Sequence, residues 1–187
     1  MGDSISVTLF GVLKIELPET TADSIRKRYS KRSLFGGPCV LIDRRWGLAL
    51  DATVNSKPKT RPVLWTPHAA PWQQWRLQRC GNGFVKIASE DNGLVLTTDA
   101  HAGDGSWVWL DQDQDREQQK WRLRPTEDRA AFLIECKNSE HALDASTDAR
   151  LPAASPDGSV ADPTAPILWA SHWAPWQQWI LLRLPLS

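Results

Sequence analysis

The segment "LWTPHAAPWQQW" (64–75) returns 104 positions later as "LWASHWAPWQQW" (168–179), identical at nine of twelve places. A third, weaker copy lies between them, in Gln118-Gln119-Lys120-Trp121. All three contain Gln-x-Trp, and their closing tryptophans, Trp75, Trp121 and Trp179, are 46 and 58 residues apart. An internal repeat of this period constrains a fold more than any single motif, because each copy must be one supersecondary unit.

Reading backwards from each closing Trp gives matched openings, "GLALDAT" (47–53), "GLVLTTD" (93–99) and "HALDAST" (141–147). Before these stand "CVLID", "FVKIAS" and "FLIECK", and after each closing Trp comes a short apolar tail. An apolar-Trp pair marks the middle of each copy: Leu64-Trp65, Val108-Trp109 and Leu168-Trp169. The units run about 39–80, 81–127 and 128–187, the last lengthened by the Pro/Ala/Asp-rich insert around 150–166. Short apolar runs between Gly, Pro, Asn and Asp clusters read as strands and turns. One such unit cannot bury its own apolar face, whereas three around a pseudo-threefold axis share a core and close a barrel.

Three repeats ending in Gln-x-Trp, the first preceded by an Asp some two dozen residues upstream, resemble the ricin-type (ricin B-like) β-trefoil lectins. The resemblance covers 39–187 and implies an all-β trefoil preceded by an N-terminal extension, 1–38. It implies a non-catalytic lectin with a shallow sugar pocket per repeat, galactose or N-acetylgalactosamine glycans being the family's type. In that family an opening-strand Asp accepts hydrogen bonds from sugar hydroxyls while an aromatic face stacks on the sugar.

Carried onto this chain, the first pocket comprises Asp51, Trp65, His68, Trp72 and Gln73, and the third Asp144, Trp169, His172, Trp176 and Gln177. A carboxylate receives two hydroxyl hydrogens at once through charge-assisted bonds, and an indole supplies apolar contact at little entropic cost. The resulting affinity is about millimolar for a wet, shallow site. In the second repeat Thr97 aligns with the Asp, with Asp99 two places on, so this unit reads as a degenerate site that keeps the architecture.

Where the family carries Asn before the Gln, this chain has Trp72 and Trp176, and Gln118 in the second repeat. These indoles either add a second stacking wall or fill the pocket. His68 and His172 either donate to a sugar hydroxyl or cap a Pro turn. If the pockets are filled, the alternative is a protein-interaction module or hydrolase inhibitor on the same scaffold.

The remaining features set limits. Lys plus Arg and Asp plus Glu both number 22, so the basic excess that marks nucleic-acid binding is missing. The spacing of Cys39, Cys80 and Cys136 contains no Cys-x-x-Cys pair and cannot make a full disulfide framework. No Gly-x-Ser-x-Gly, phosphate loop or His-Glu-x-x-His occurs, and no cofactor is implied. The opening "MGDSISVTLFGVLKIEL" lacks the pattern of a secretory signal, so a cytoplasmic protein, released if at all by a non-classical route, is the expectation. Within the extension, Arg26, Lys27, Arg28, Lys31 and Arg32 form a basic cluster. It serves as a solvated linker or as a contact for a partner. A strand in the same extension offers a means of pairing two protomers and raising weak sugar affinity by avidity.

Overall fold

The computed structural model describes residues 4–9, 13–18, 35, 37–145 and 165–184. The chain divides into two compact units, 1–36 and 37–187. In the first, β1 (Ser4–Leu9) pairs antiparallel with β2 (Leu13–Pro18), Ser4 opposite Pro18. The basic cluster at 26–32 and most of the 150–166 insert lie outside the described residues.

Among its described residues the second unit contains twelve strands, four to a repeat. The first repeat contributes β3 (Cys39–Asp43), β4 (Ala49–Asp51), β5 (Val63–Trp65) and β6 (Trp75–Arg79). The second contributes β7 (Phe84–Ser89), β8 (Val95–Thr98), β9 (Val108–Asp111) and β10 (Trp121–Pro125). The third contributes β11 (Phe132–Cys136), β12 (Ala142–Asp144), β13 (Ile167–Trp169) and β14 (Gln178–Arg183). The outer strands of each repeat form a closed ring by antiparallel pairing: β3 to β6, β6 to β7, β7 to β10, β10 to β11, β11 to β14, and β14 back to β3. The inner pairs β4–β5, β8–β9 and β12–β13 form three hairpins. Closure satisfies every ring strand on both sides and leaves no barrel edge. This is the trefoil expected from the three repeats.

The three closing tryptophans are fully buried. Each indole N–H donates to a carbonyl of its own repeat's opening strand: Trp75 to Leu50 at 2.9 Å, Trp121 to Leu96 at 2.9 Å, Trp179 to Leu143 at 2.8 Å. A buried Trp thus satisfies its one polar atom while covering a large apolar area. Leu41, Ile87 and Ile134 from the first strands and Leu64, Leu110 and Leu168 from the hairpins are fully buried as well.

The register corrects one sequence alignment. Ala49 faces Trp65 and Ala142 faces Trp169, but Val95, the second repeat's equivalent, faces Asp111. Trp109 lies opposite Thr97, as Val63 lies opposite Asp51 and Ile167 opposite Asp144. Trp109 is therefore two residues out of step with Trp65 and Trp169, and Leu110-Asp111 is the true counterpart of Leu64-Trp65. Buried leucines, not tryptophans, are what the packing holds constant.

Candidate carbohydrate-binding sites

Each repeat approaches its closing Trp through a single 3-10 turn, Pro71–Gln73, Glu117–Gln119 or Pro175–Gln177. Pro at the first position presets φ in the first and third copies. The turn inverts the Gln side chain into the interior, where Gln73, Gln119 and Gln177 are buried. A buried amide must be matched on both ends, and it is. Gln73 Oε1 accepts from His68 N–H at 2.8 Å and Ala69 N–H at 3.2 Å; its Nε2 donates to Thr66 O at 3.1 Å and to Asp51 Oδ2 at 2.9 Å. In the third repeat, Gln177 Oε1 accepts from His172 N–H at 2.9 Å, and Nε2 donates to Ala170 O at 3.1 Å and Asp144 Oδ2 at 3.0 Å.

Asp51 and Asp144 are thus held from beneath, and only 4% and 3% of each residue reaches solvent. Asp51 Oδ1 also accepts from Thr53 N–H at 2.7 Å. Burial raises the Asp51 pKa, against the opposing hydrogen bonds from Thr53 and Gln73 and the neighbouring His68. The imidazole of His68 stands over this carboxylate, Nε2 to Oδ2 3.6 Å; His172 stands over Asp144 at 3.9 Å. In both, Nδ1 accepts a main-chain N–H, from Ala70 at 3.2 Å and Ala174 at 3.3 Å. That contact places the proton of a neutral ring on Nε2, toward the acid. Trp72 and Trp176 pack edge-on against these imidazoles, centroids 5.8 Å apart in each copy.

Trp65 and Trp169 share a sheet face with the acids, as diagonal neighbours across the hairpin. Trp65 is half-buried, whereas Trp169 is 42% exposed. The ten residues expected at the two sites lie one set per repeat: the Asp, Gln, His and preceding Trp repeat their mutual contacts in both, and Trp65 and Trp169 are placed beside them by strand register. The histidine's contact with the acid, and the indole packed on it, could not be read from the spacing.

The second repeat is built differently. Gln119 Nε2 donates to Thr97 Oγ1 at 3.3 Å, and Gln114 takes the histidine's place. Asp99 lies past the end of β8, where its carboxylate caps its own turn by accepting His101 N–H at 3.1 Å. A hollow of about 240 Å³ opens here, lined by Thr97, Asp99, Trp109, Asp111, Arg116 and, from the first repeat, Lys59. Lys59 Nζ lies 2.6 Å from Asp111 Oδ2 and 4.6 Å from the centre of the Trp109 ring. Sequence reading missed Lys59 because a cross-repeat main-chain bond, Lys59 N–H to Leu110 O at 2.7 Å, brings it there.

Residues 71–155 match the family model of the ricin-type beta-trefoil lectin domain-like proteins. No curated protein matches the chain. Among solved structures, the designed three-fold symmetric protein ThreeFoil aligns with a TM-score of 0.69 and 26% identity, over 79% of this chain and 99% of that one. A ricin B-like lectin of Macrolepiota procera, solved in complex with lactose, aligns with a TM-score of 0.62 and 19% identity, over 80% of this chain and 96% of its own. An exo-beta-1,3-galactanase of Clostridium thermocellum, 1,3Gal43A, aligns at 0.63 and 20% identity, over 80% of this chain but 30% of the enzyme. The chain folds as a β-trefoil and, in its matched segment and its architecture, resembles the ricin-type lectins.

Proposed function

We propose that this protein is a non-catalytic carbohydrate-binding lectin with saccharide sites in the first and third repeats. Glycans of the galactose or N-acetylgalactosamine type are the proposed ligands. The observation that carries the reading is the duplication of one polar constellation, Asp51–Gln73–His68–Trp72 and Asp144–Gln177–His172–Trp176, while Thr97 and Gln114 replace the acid and the histidine in the second repeat. Packing needs alone act on all three repeats; the shared extra likeness is confined to two. In this reading a sugar hydroxyl seated beside the imidazole Nε2 and the carboxylate donates to the acid and accepts from the ring. Trp65 and Trp169 supply the apolar wall. The lactose complex of the Macrolepiota procera lectin supports the ligand class.

A calorimetric titration with lactose and N-acetylgalactosamine tests this, comparing the protein with an Asp51→Asn, Asp144→Asn double variant whose fold is checked by near-ultraviolet circular dichroism. Heat of binding that is lost in the variant is the expected result; identical titrations defeat the reading. The slight exposure of both carboxylates favours a second reading, a protein-binding trefoil whose pockets are filled by the histidine–tryptophan pairs. Capture of a protein partner that survives the double substitution, without any sugar binding, decides for it.

A further inference from the structure

The backbone enters the left-handed region at the same place in every repeat, four residues before the buried Gln: Ala69 (φ 53°), Asp115 (φ 53°) and Trp173 (φ 60°). The equivalence is confirmed by the next Gln in two copies, since Gln74 Nε2 donates to Ala69 O and Gln178 Nε2 to Trp173 O. A short polar residue such as Asp tolerates this conformation, and Ala is a small one; a bulky indole there is strained. Trp173 is nevertheless 37% exposed, so the strain is not offset by burial in the core.

What surrounds the position differs in each copy. Beside Asp115 the space is filled by ion pairs, with Lys86 at 3.0 Å, Lys120 at 3.5 Å, and Glu117 held by Lys120 and Lys137. Beside Trp173 there is instead a hollow of about 440 Å³, lined by Arg44, Thr126, Glu127, Asp128, Trp173 and Gln178. Its floor is preorganised. Arg44 Nη2 pairs with Asp128 Oδ2 at 2.6 Å while Nη1 donates to Gln178 Oε1 at 2.8 Å. The hydrogen bonds from Thr126, Ala130 and Arg44 hold the Asp128 pKa down at about 2, so this acid stays ionised. Trp173 is braced by Arg124, whose guanidinium lies 4.9 Å from the ring centre and is itself tied to Glu135 at 2.9 Å. Glu127 is exposed, and among the described residues its carboxylate has no ion pair or hydrogen bond.

We propose that this hollow, where residues of all three repeats meet, is a further binding site for a neutral pyranose, with Trp173 as its stacking wall and Glu127 as its hydroxyl acceptor. The charges select the class. An anionic ligand meets the unpaired Glu127 and the Asp128 carboxylate. A cationic one meets a ring that already carries the Arg124 guanidinium, and Arg44 beneath. A neutral polyol uses the ring's apolar face, donates to Glu127, and accepts from the remaining N–H groups of Arg44. The site is separate from the Asp51 and Asp144 clusters and stands or falls without them.

The test is nitrogen-15 NMR of the indole N–H groups in the full chain, titrated separately with galactose, N-acetylgalactosamine, glucose and mannose. Trp173→Ala assigns the resonance, and Ala69 shows that this backbone accepts alanine. The expected result is a saturable shift of the Trp173 signal by at least one sugar, with dissociation constants in the millimolar range. The shift persists in the Asp51→Asn, Asp144→Asn variant and weakens about fivefold to tenfold in Glu127→Gln. A Trp173 signal unmoved by all four sugars at about 100 mM, far above such a constant, overturns the proposal. So does an affinity unchanged in Glu127→Gln, or a shift that disappears with the two aspartates.

Discussion

Gln73 donates to Asp51 across 22 residues of chain, Nε2 to Oδ2 at 2.9 Å, with both side chains buried. This bond fastens the last turn of the repeat to its opening strand and fixes which lone pairs the acid can still offer. It also makes the pair sensitive to any second charge.

Gln73→Glu places two carboxylates in contact. Unfolding in urea should show a loss of roughly 3 kcal/mol near neutral pH, as for a broken buried network. The loss should shrink as pH falls and the pair takes up a proton. A pH-independent loss would point to packing alone.

Trp179→Phe keeps most of the apolar volume but orphans Leu143 O, which now accepts the indole N–H at 2.8 Å. A cost of about 2–4 kcal/mol is expected, measured by the denaturation midpoint. The same change at Trp121, bonded to Leu96 O, should cost a similar amount, since the two environments are pseudo-equivalent.

Asp43 is buried, and burial raises its pKa from 3.8 to about 6, although the N–H groups of Trp46, Arg45 and Gly47 oppose the rise. The folded state thus holds a proton that the unfolded chain releases between those values. This contribution to stability is fully present below pH 3.8, falls as pH rises to about 6, and is absent above. The span is worth at most roughly 3 kcal/mol. Stability measured between pH 4 and 7 should be flatter in Asp43→Asn than in the parent, and parallel curves would contradict the assignment.

Cys39 is buried, donates to Trp75 O at 3.3 Å, and its pKa is pushed up to about 12 by burial. Cys136 is also buried, and Cys80 is partly exposed. A chromogenic disulfide reagent should therefore modify Cys80 alone in the native protein and all three thiols in denaturant. Fast labelling of Cys39 under native conditions would mean that the β3–β6 seam opens.

Thr97→Asp would rebuild, beneath Gln119 Nε2, the acid that the other two repeats carry. If the proposed sugar sites are right, the stoichiometry of the Asp-type sites in a calorimetric titration should rise from two to three, or the new site should remain silent for want of a histidine at Gln114. The first outcome makes the carboxylate sufficient, and the second makes the imidazole part of the site.

The three-unit plan was legible because Gln73, Gln119 and Gln177, with the tryptophans two places on, are each fixed by bonds inside their own repeat, and local constraints leave periodic marks. The position of Trp109 was not legible. In sequence it mimics Trp65, but pairing is set by Leu64, Leu110 and Leu168, and an apolar pattern with two tryptophans in three residues (107 and 109) does not reveal its register. Lys59 over Trp109, and Arg44 on Asp128, join residues of different repeats, for which no spacing rule exists. The exchange of Ala69 for Trp173 was visible in the two near-identical segments. Its significance needed the backbone angle and the hollow beside it.

The barrel's first strand, β3, pairs along its whole length with its last, Cys39 opposite Arg183 through Asp43 opposite Trp179. During synthesis, then, the earliest wall of the ring waits for the latest. While the ribosome tunnel still holds 178–183, the nascent trefoil stays an unsealed cup with β3 as a bare apolar edge. That interval is when a chaperone, or another chain in the same state, can reach it.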